Sequence, residues 1–353
     1  MKVAILNDTH AGIRNSSDIF LDNAEKFYSD VFFPYLLEHN IRTIVHLGDV
    51  FDNRKFINFR ALNRYRKSFL ARLREHGMHM HIIPGNHDTY YKNTNELNAL
   101  KELLGHYMGE VTIHMEPSVL DLQGFKFALL PWICSENHDR SMEFINTCKA
   151  DWLGGHLELA GFDVMRGVQS THGLNHKIFS RFERVLSGHF HVGSQQDNIY
   201  YLGTQMEFFW SDAGDEKGFH VLDTENRELT KVTNPHTLFS KIIYDDTKAD
   251  YSIYDTNHLN EKFVKIVVVN KSDLFTFDRF VDRIQNERIH DLKIAENFNE
   301  FMGENVEDEA VSVEDTTELL DSYVDAVETD LDKDKLKVNM RNLLAEAQTL
   351  EVA

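Results

Sequence analysis

Short apolar strands that break off into clusters of Asp, Asn and His constrain this chain more than any other feature of its sequence. Val3 to Leu6, Thr43 to Leu47, Met78 to Ile83, Phe125 to Leu130, Trp152 to Leu157 and Val185 to Ser187 read as strands, with helical stretches between them. That alternation is expected of an α/β or mixed-sheet domain. Several of the runs end directly in polar residues: Asn7-Asp8-Thr9-His10, Gly48-Asp49, Gly85-Asn86-His87-Asp88, His156, and Gly188-His189-Phe190-His191. Strand ends of such sheets are where loops collect polar groups into one crevice.

Each cluster alone has a bland reading as a turn at a strand end. Together they do not, because Asp8, His10, Asp49, Asn86, His156, His189 and His191 all belong to types that bind borderline-hard divalent cations. Two such cations ~3.5–4 Å apart polarise a phosphoryl oxygen and lower the pKa of a bridging water. One carboxylate must then touch both. Asp49 is the natural bridge, since it follows Gly48, where the backbone turns sharply at little cost. Neutral imidazoles complete the shells without adding charge that repels a phosphodiester. Mixed N and O ligation suits manganese, and also iron, zinc or cobalt.

In order, Asp8-x-His10, Gly48-Asp49-x-x-Asp52, Gly85-Asn86-His87-Asp88, Gly155-His156 and Gly188-His189-x-His191 resemble the five motifs of calcineurin-like metallophosphoesterases. The resemblance covers residues 1 to about 235. It implies a four-layer sandwich of two mixed sheets flanked by helices. It further implies that Asp8, His10, Asp49 and His191 hold one ion, that Asp49, Asn86, His156 and His189 hold the other, and that His87 is the general acid. The residues themselves agree about His87, because a histidine beside a ligand is close to the metals and donates a proton near neutral pH. Gly-Asp-Val-Phe-Asp at the second motif and Ser-Gly-His-Phe-His at the last are similar to the SbcD-type nuclease subunits and their phage recombination counterparts. Phosphoprotein phosphatases carry Asp-Arg-Gly and Asn-His-Glu instead, where this chain has Asp52-Asn53-Arg54 and Asp88. Asp52 stands where many break-repair nucleases have a second catalytic histidine. It is the other candidate catalytic residue, but that histidine's roles do not transfer to a carboxylate.

At 353 residues the chain is long enough for a second domain. The pattern changes near Pro235, and a strand from Phe263 to Val269 followed by a helix from Phe275 to Ile284 suggests a small α/β cap over 236–295. A net charge of −20 looks wrong for a partner of phosphates, yet fourteen Asp or Glu and no Lys or Arg fall between Glu296 and Asp332, which leaves −6 for the rest. We expect an acidic linker over 296–311 and a helical pair over 312–353 that binds a partner. By resemblance, that partner is a coiled-coil ATPase of the structural-maintenance type. Arg54 to Arg74 holds eight Lys or Arg and no Asp or Glu. Arg54, Lys55, Arg60, Arg64 and Lys67 are therefore candidate DNA contacts. The resemblance also implies that this region and the helix near Glu96 to Leu104 contribute to a homodimer. Strand patterning from Lys2 onward leaves no room for a signal peptide, no apolar run approaches a membrane span, and two cysteines without metal-site spacing fit a reducing compartment, so the expected location is the cytoplasm. The leading function is a two-metal DNA nuclease, exonuclease or endonuclease, of double-strand-break repair. The alternatives are a phosphatase or cyclic-nucleotide phosphodiesterase on the same scaffold, and a non-catalytic scaffold that binds the ATPase.

Overall fold

The computed structural model describes residues 1–165, 168–170, 172–295, 324, 332, 333 and 335–340. β1 (Lys2–Leu6), β2 (Thr43–His46), β3 (His79–Ile82) and β4 (Val111–Ile113) lie parallel, side by side. The chain then builds a second sheet from β5 (Ser118–Leu122), β6 (Phe125–Leu130) and β7 (Trp152–His156). After a small hairpin, β8 (Asp163–Met165) and β9 (Val168–Gln169), it adds β10 (Arg184–Gly188), β11 (Ser194–Gln196) and β12 (Ile199–Tyr201). Next, β13 (Gly218–Asp223) and β14 (Glu228–Thr233) return to the first sheet, β13 antiparallel to β1. The spatial orders are β14-β13-β1-β2-β3-β4 and β11-β12-β10-β7-β6-β5. Both sheets are mixed.

Strand period decides the layers. In β1, Val3 and Ile5 face the second sheet and pack with Val45, Leu47, Phe127, Leu129, Trp152 and Leu186. Ala4 and Leu6 face the other way, with Ile44, Met80 and Ile82, onto helices. Those helices are α1 (Asp18–Lys26), which continues through a π-turn into α2 (Phe33–Glu38), and α3 (Phe59–Tyr65), which continues likewise into α4 (Ala71–Glu75). Phe27, Phe32, Phe33, Tyr65, Phe69 and Leu73 fill that layer. α5 (Ala99–Leu104) completes it. On the far side of the second sheet, Ile145 of α6 (His138–Thr147) joins Leu130, Leu153, Phe179 and Val185. The result is helix, sheet, sheet, helix, as the resemblance implied. Cys134 and Cys148 are buried, unpaired packing residues.

A separate parallel sheet, β15 (Phe239–Asp245), β16 (Phe263–Asn270) and β17 (Asp291–Ala295), carries α7 (Leu274–Gln285) on one face. Phe277, Phe280 and Ile284 of α7 pack on Ile242, Tyr244, Val264 and Ile266. The strand and helix expected within 236–295 are both there. Its other attachment is aromatic: the Phe20 ring of α1 stacks on Phe263, and Phe239 packs on Trp210. Residues 1–303 form one compact unit and 304–353 a second. The acidic linker expected over 296–311 lies outside the described residues, as does most of the helical pair, of which residues 335–340 are helical. No helix among the described residues is long and apolar enough to cross a membrane.

Candidate metal centre

All seven expected ligands converge at one end of the sandwich, where β1, β2, β7 and β10 and the loop after β3 finish side by side. The backbone bends sharply there. Asp8, His10, Asp49 and His189 all have positive φ, at 47°, 41°, 56° and 89°. Such conformations are uncommon outside glycine and cluster at functional sites, held by their surroundings. Two glycines make the close approach possible. A Cβ on Gly48 would sit 2.7 Å from the Gly85 nitrogen, and one on Gly85 would sit 2.1 Å from an Asp49 carboxylate oxygen.

Two donor groups share Asp49. In the first, the Nε2 atoms of His10 and His191 face each other at 3.2 Å, and Asp8 Oδ1 lies 3.8 Å from His10 Nε2. Asp8 is held by the Asn7 amide (2.6 Å) and by the His189 N–H (3.0 Å). In the second, Asn86 Oδ1 lies 2.9 Å from His156 Nε2 and 3.0 Å from His189 Nδ1. Asp49 Oδ2 sits between the groups, 3.8 Å from His10 Nε2 and 3.2 Å from His156 Nε2. Its other oxygen accepts the His87 N–H at 2.8 Å. The Nδ1–H of His156 donates to the Leu47 carbonyl at 2.8 Å, so the nitrogen that faces Asp49 and Asn86 is the one left to bind a cation.

The electrostatics tell the same story. Burial opposes charge on His10, yet Asp52, Asp49 and Asp8 carry it up to about 9. His156 is likewise opposed by burial and raised to about 9, chiefly by Asp49. His189 is pushed down to about 3 by burial and the His156 charge, and His191 well below the usual range by burial and His10. Buried, facing nitrogen and carboxylate donors of this kind fit a pair of divalent cations. The donors of Asp8, His10 and His191, and those of Asp8, Asp49 and His156, each lie within 4.8 Å of one another.

Asp52 serves both neighbours. Its carboxylate stands 3.4 Å from His10 Nδ1, which orients that ring with Nε2 toward His191, and its carbonyl accepts the Nδ1–H of His87 at 2.6 Å. The other nitrogen of His87 is thereby left for proton exchange. The candidate DNA contacts lie on the loop after Asp52 and along α3 and its continuation. Arg54 and Lys55 lie on the loop after Asp52, where the Arg54 Nε donates to the Thr89 carbonyl, and Lys67 is exposed. Arg60 is paired with Asp18 (2.9 Å), and Arg64 forks onto Glu25 at 2.7 Å and also meets Asp22.

Three supports were not foreseen from the sequence. The fully buried Asp88 accepts the backbone N–H groups of Asp49 (2.8 Å), Gly85 (2.9 Å), Val50 (3.0 Å) and Phe51 (3.4 Å), which ties the second and third motifs together. Burial and the Asp49 charge push its carboxyl up to about 7, against the pull of those N–H groups. The buried Lys217 donates to the His191 carbonyl at 2.9 Å and to Asp212 at 2.7 Å, which fixes the last motif. Trp132 lays its ring against His156 and His189. Asp88 was visible as a motif residue, but three of its four partners lie 37 to 39 positions upstream, so only the turn role, with Gly85, could be read locally.

Calcineurin-like phosphoesterases match this chain over residues 1–193. Exonuclease subunit 1 of Enterobacteria phage T4 is 30% identical over 98% of this chain and 99% of its own length. An SbcCD nuclease subunit from Staphylococcus epidermidis is 23% identical over 66% of this chain and 68% of its own, and its counterpart from Staphylococcus saprophyticus is 21% identical over 65% and 67%. With two donor groups sharing one aspartate at the end of a two-sheet sandwich, and with the family's match running through the motifs that supply them, the chain belongs to the calcineurin-like phosphoesterase family.

Proposed function

We propose that this chain is the catalytic subunit of a DNA nuclease that processes double-strand breaks in recombination and repair, in the cytoplasm, and that it acts with two divalent cations, manganese in the first place. The observation that carries the reading is Asp49 Oδ2, placed between the imidazoles of the two donor groups with His87 alongside. Full-length similarity to an exonuclease subunit supports it. Asp8, His10, Asp49 and His191 would hold one cation and Asp49, Asn86, His156 and His189 the other, and the bound pair would supply Lewis acidity and lower the pKa of a water. His87, oriented by the Asp52 carbonyl, gives its proton to the leaving oxygen. Asp52 also keeps His10 in register through its carboxylate. Arg54, Lys55 and Lys67 meet DNA phosphates. Arg60 and Arg64 do so only by exchanging their carboxylate partners for phosphates, which weakens their share.

A homodimer fits the surface beside the centre. Phe56 (73% exposed), Phe59 (84%), Tyr91 (51%), Leu97 (40%) and Met108 (80%) expose apolar surface at the start of α3 and on the loops around α3 and α5, more than an isolated surface residue explains. We assign the C-terminal residues 312–353 to the coiled-coil ATPase. The test is cleavage of end-labelled duplex and single-stranded DNA with manganese or magnesium, with and without that ATPase. Metal-dependent cutting of DNA is expected. Activity confined to nucleotide monoesters or cyclic nucleotides would overturn the nuclease reading in favour of a phosphatase or cyclic-nucleotide phosphodiesterase.

A further inference from the structure

Four aromatic side chains make ring contacts with the ligand histidines: Phe208 with His10 and His191, Phe209 with His191, Phe190 with His189, and Trp132 with His156 and His189. Three of them are core. Phe208, Phe209 and Phe190 are 0%, 7% and 6% exposed, whereas Trp132 is only partly buried. The other two tryptophans, Trp152 and Trp210, are core as well. Trp132 is therefore a large apolar ring kept in partial contact with solvent on the wall of a polar centre.

Its position is not loose. The Trp132 N–H donates to the Pro84 carbonyl at 2.9 Å, and its own carbonyl accepts from the side-chain amides of Asn95 (2.8 Å) and Asn137 (2.9 Å). Three main-chain hydrogen bonds fix the residue from which the indole projects. The ring centroid lies 5.3 Å from that of His189 and 5.9 Å from that of His156, on the side of the centre that Asn86 completes. A spacer for two imidazoles needs only a buried ring, as Phe208 illustrates for His10 and His191. A half-buried indole on this wall forgoes part of its hydrophobic burial and offers π-surface to whatever enters.

We infer that Trp132 is the stacking platform for the nucleobase that neighbours the scissile phosphate, on the side of Asn86, His156 and His189. This rests on the nuclease reading of the centre. Every base has a π-face, so the platform accepts any sequence but requires that base to be free of its own stack, as in a single strand or a frayed end. It also gives the centre a preference for nucleic acid over small phosphate esters that lack a base.

The test uses the full-length chain with manganese and a single-stranded oligonucleotide that carries one abasic residue, moved position by position past the cleavage site. For the wild type, one register is expected at which the missing base raises KM about 10- to 100-fold, the usual loss of one base–aromatic stack. Trp132→Ala should show that higher KM on the intact oligonucleotide and lose its sensitivity to the abasic residue at that register, while Trp132→Phe keeps most of both. Calorimetry should still count two bound manganese ions in each variant. If Trp132→Ala slows intact and abasic substrates by the same factor at every register, or if no register is sensitive in the wild type, Trp132 merely packs the histidines and the inference falls. A wild-type chain inert on every oligonucleotide, yet active on phosphomonoesters, would remove the nuclease reading and this inference with it.

Discussion

Replacing Asp88 with Asn separates its role as a hydrogen-bond hub from its size. One carboxylate oxygen accepts the N–H groups of Asp49 and Gly85, the other those of Val50 and Phe51. An amide has one oxygen to offer. Whichever way it turns, its NH2 group faces two buried backbone donors that then have no acceptor. Each orphaned buried N–H costs ~1–3 kcal/mol, so Asp88→Asn should destabilise the chain by about 2–6 kcal/mol. The lower half of that range is favoured, since the amide will settle toward Asp49 and Gly85 and abandon the pair that includes the long 3.4 Å contact to Phe51. Against a typical stability of ~5–15 kcal/mol this is a large fraction. The assay is urea denaturation of the full-length protein with a chelator present, followed by the fluorescence of its three tryptophans, Trp132, Trp152 and Trp210, with wild type and variant compared at equal slope. Because the same N–H groups place Asp49 and the Gly85 turn, manganese affinity should fall as well. A stability change below ~0.5 kcal/mol would show that the four contacts do not carry the connection between the motifs.

Three further outcomes follow from the centre and its surroundings. His87→Ala should lower turnover by about 10²–10⁴, the usual contribution of a positioned acid, with both ions still bound in calorimetry; wild-type turnover would remove His87 from the proton transfer. Asp49→Ala should lose both ions and His10→Ala mainly one, so equal loss of a single ion in the two variants would contradict the shared ligand. His81, half-buried with Nδ1 3.0 Å from His114 Nε2, is pushed down to about 4 by burial and by His114 and His79. The unfolded chain takes up this proton near pH 6.5 and the folded chain only near 4, so stability is lost as pH falls through that window, by about 1–2 kcal/mol after discounting ~3.4 kcal/mol for solvent screening. His81→Gln should flatten that part of the acid limb of the urea midpoint, and an unchanged limb would mean that His81 titrates normally.

The seven candidate ligands, His87 and the strands beneath them could be picked out because each is encoded locally, and the structure brings them together at one end of the sandwich. Period-two apolar runs specify the strands, and a run that stops at Asp, Asn or His can only place that group at a strand end. Chemistry then selects the set, since carboxylate, amide and imidazole together suit divalent cations and little else. The cap strand and helix were legible for the same reason, their periodicity being complete within twelve residues or fewer.

What tertiary structure decided lies between distant segments. The basic run from Arg54 to Arg74 is uninterrupted in sequence, but Arg60 and Arg64 turn onto Asp18, Asp22 and Glu25 of α1, some 39 to 46 residues away, and those two charges are matched by carboxylates. Asp52 was a catalytic candidate without a readable role; the fold sets its carboxylate 3.4 Å from His10 Nδ1 and its carbonyl at hydrogen-bond distance from His87 Nδ1. Asp88 and Trp132 gain their roles only when β3 and β6 bring their loops against Asp49 and against the histidines of β7 and β10. A sequence specifies the types of residue and the local period with which they recur. Which carboxylate neutralises an arginine, which carbonyl orients an imidazole and which ring stays only partly buried depend on sheet register and on helix packing across the sheet, where partners tens of residues apart meet at hydrogen-bond distance.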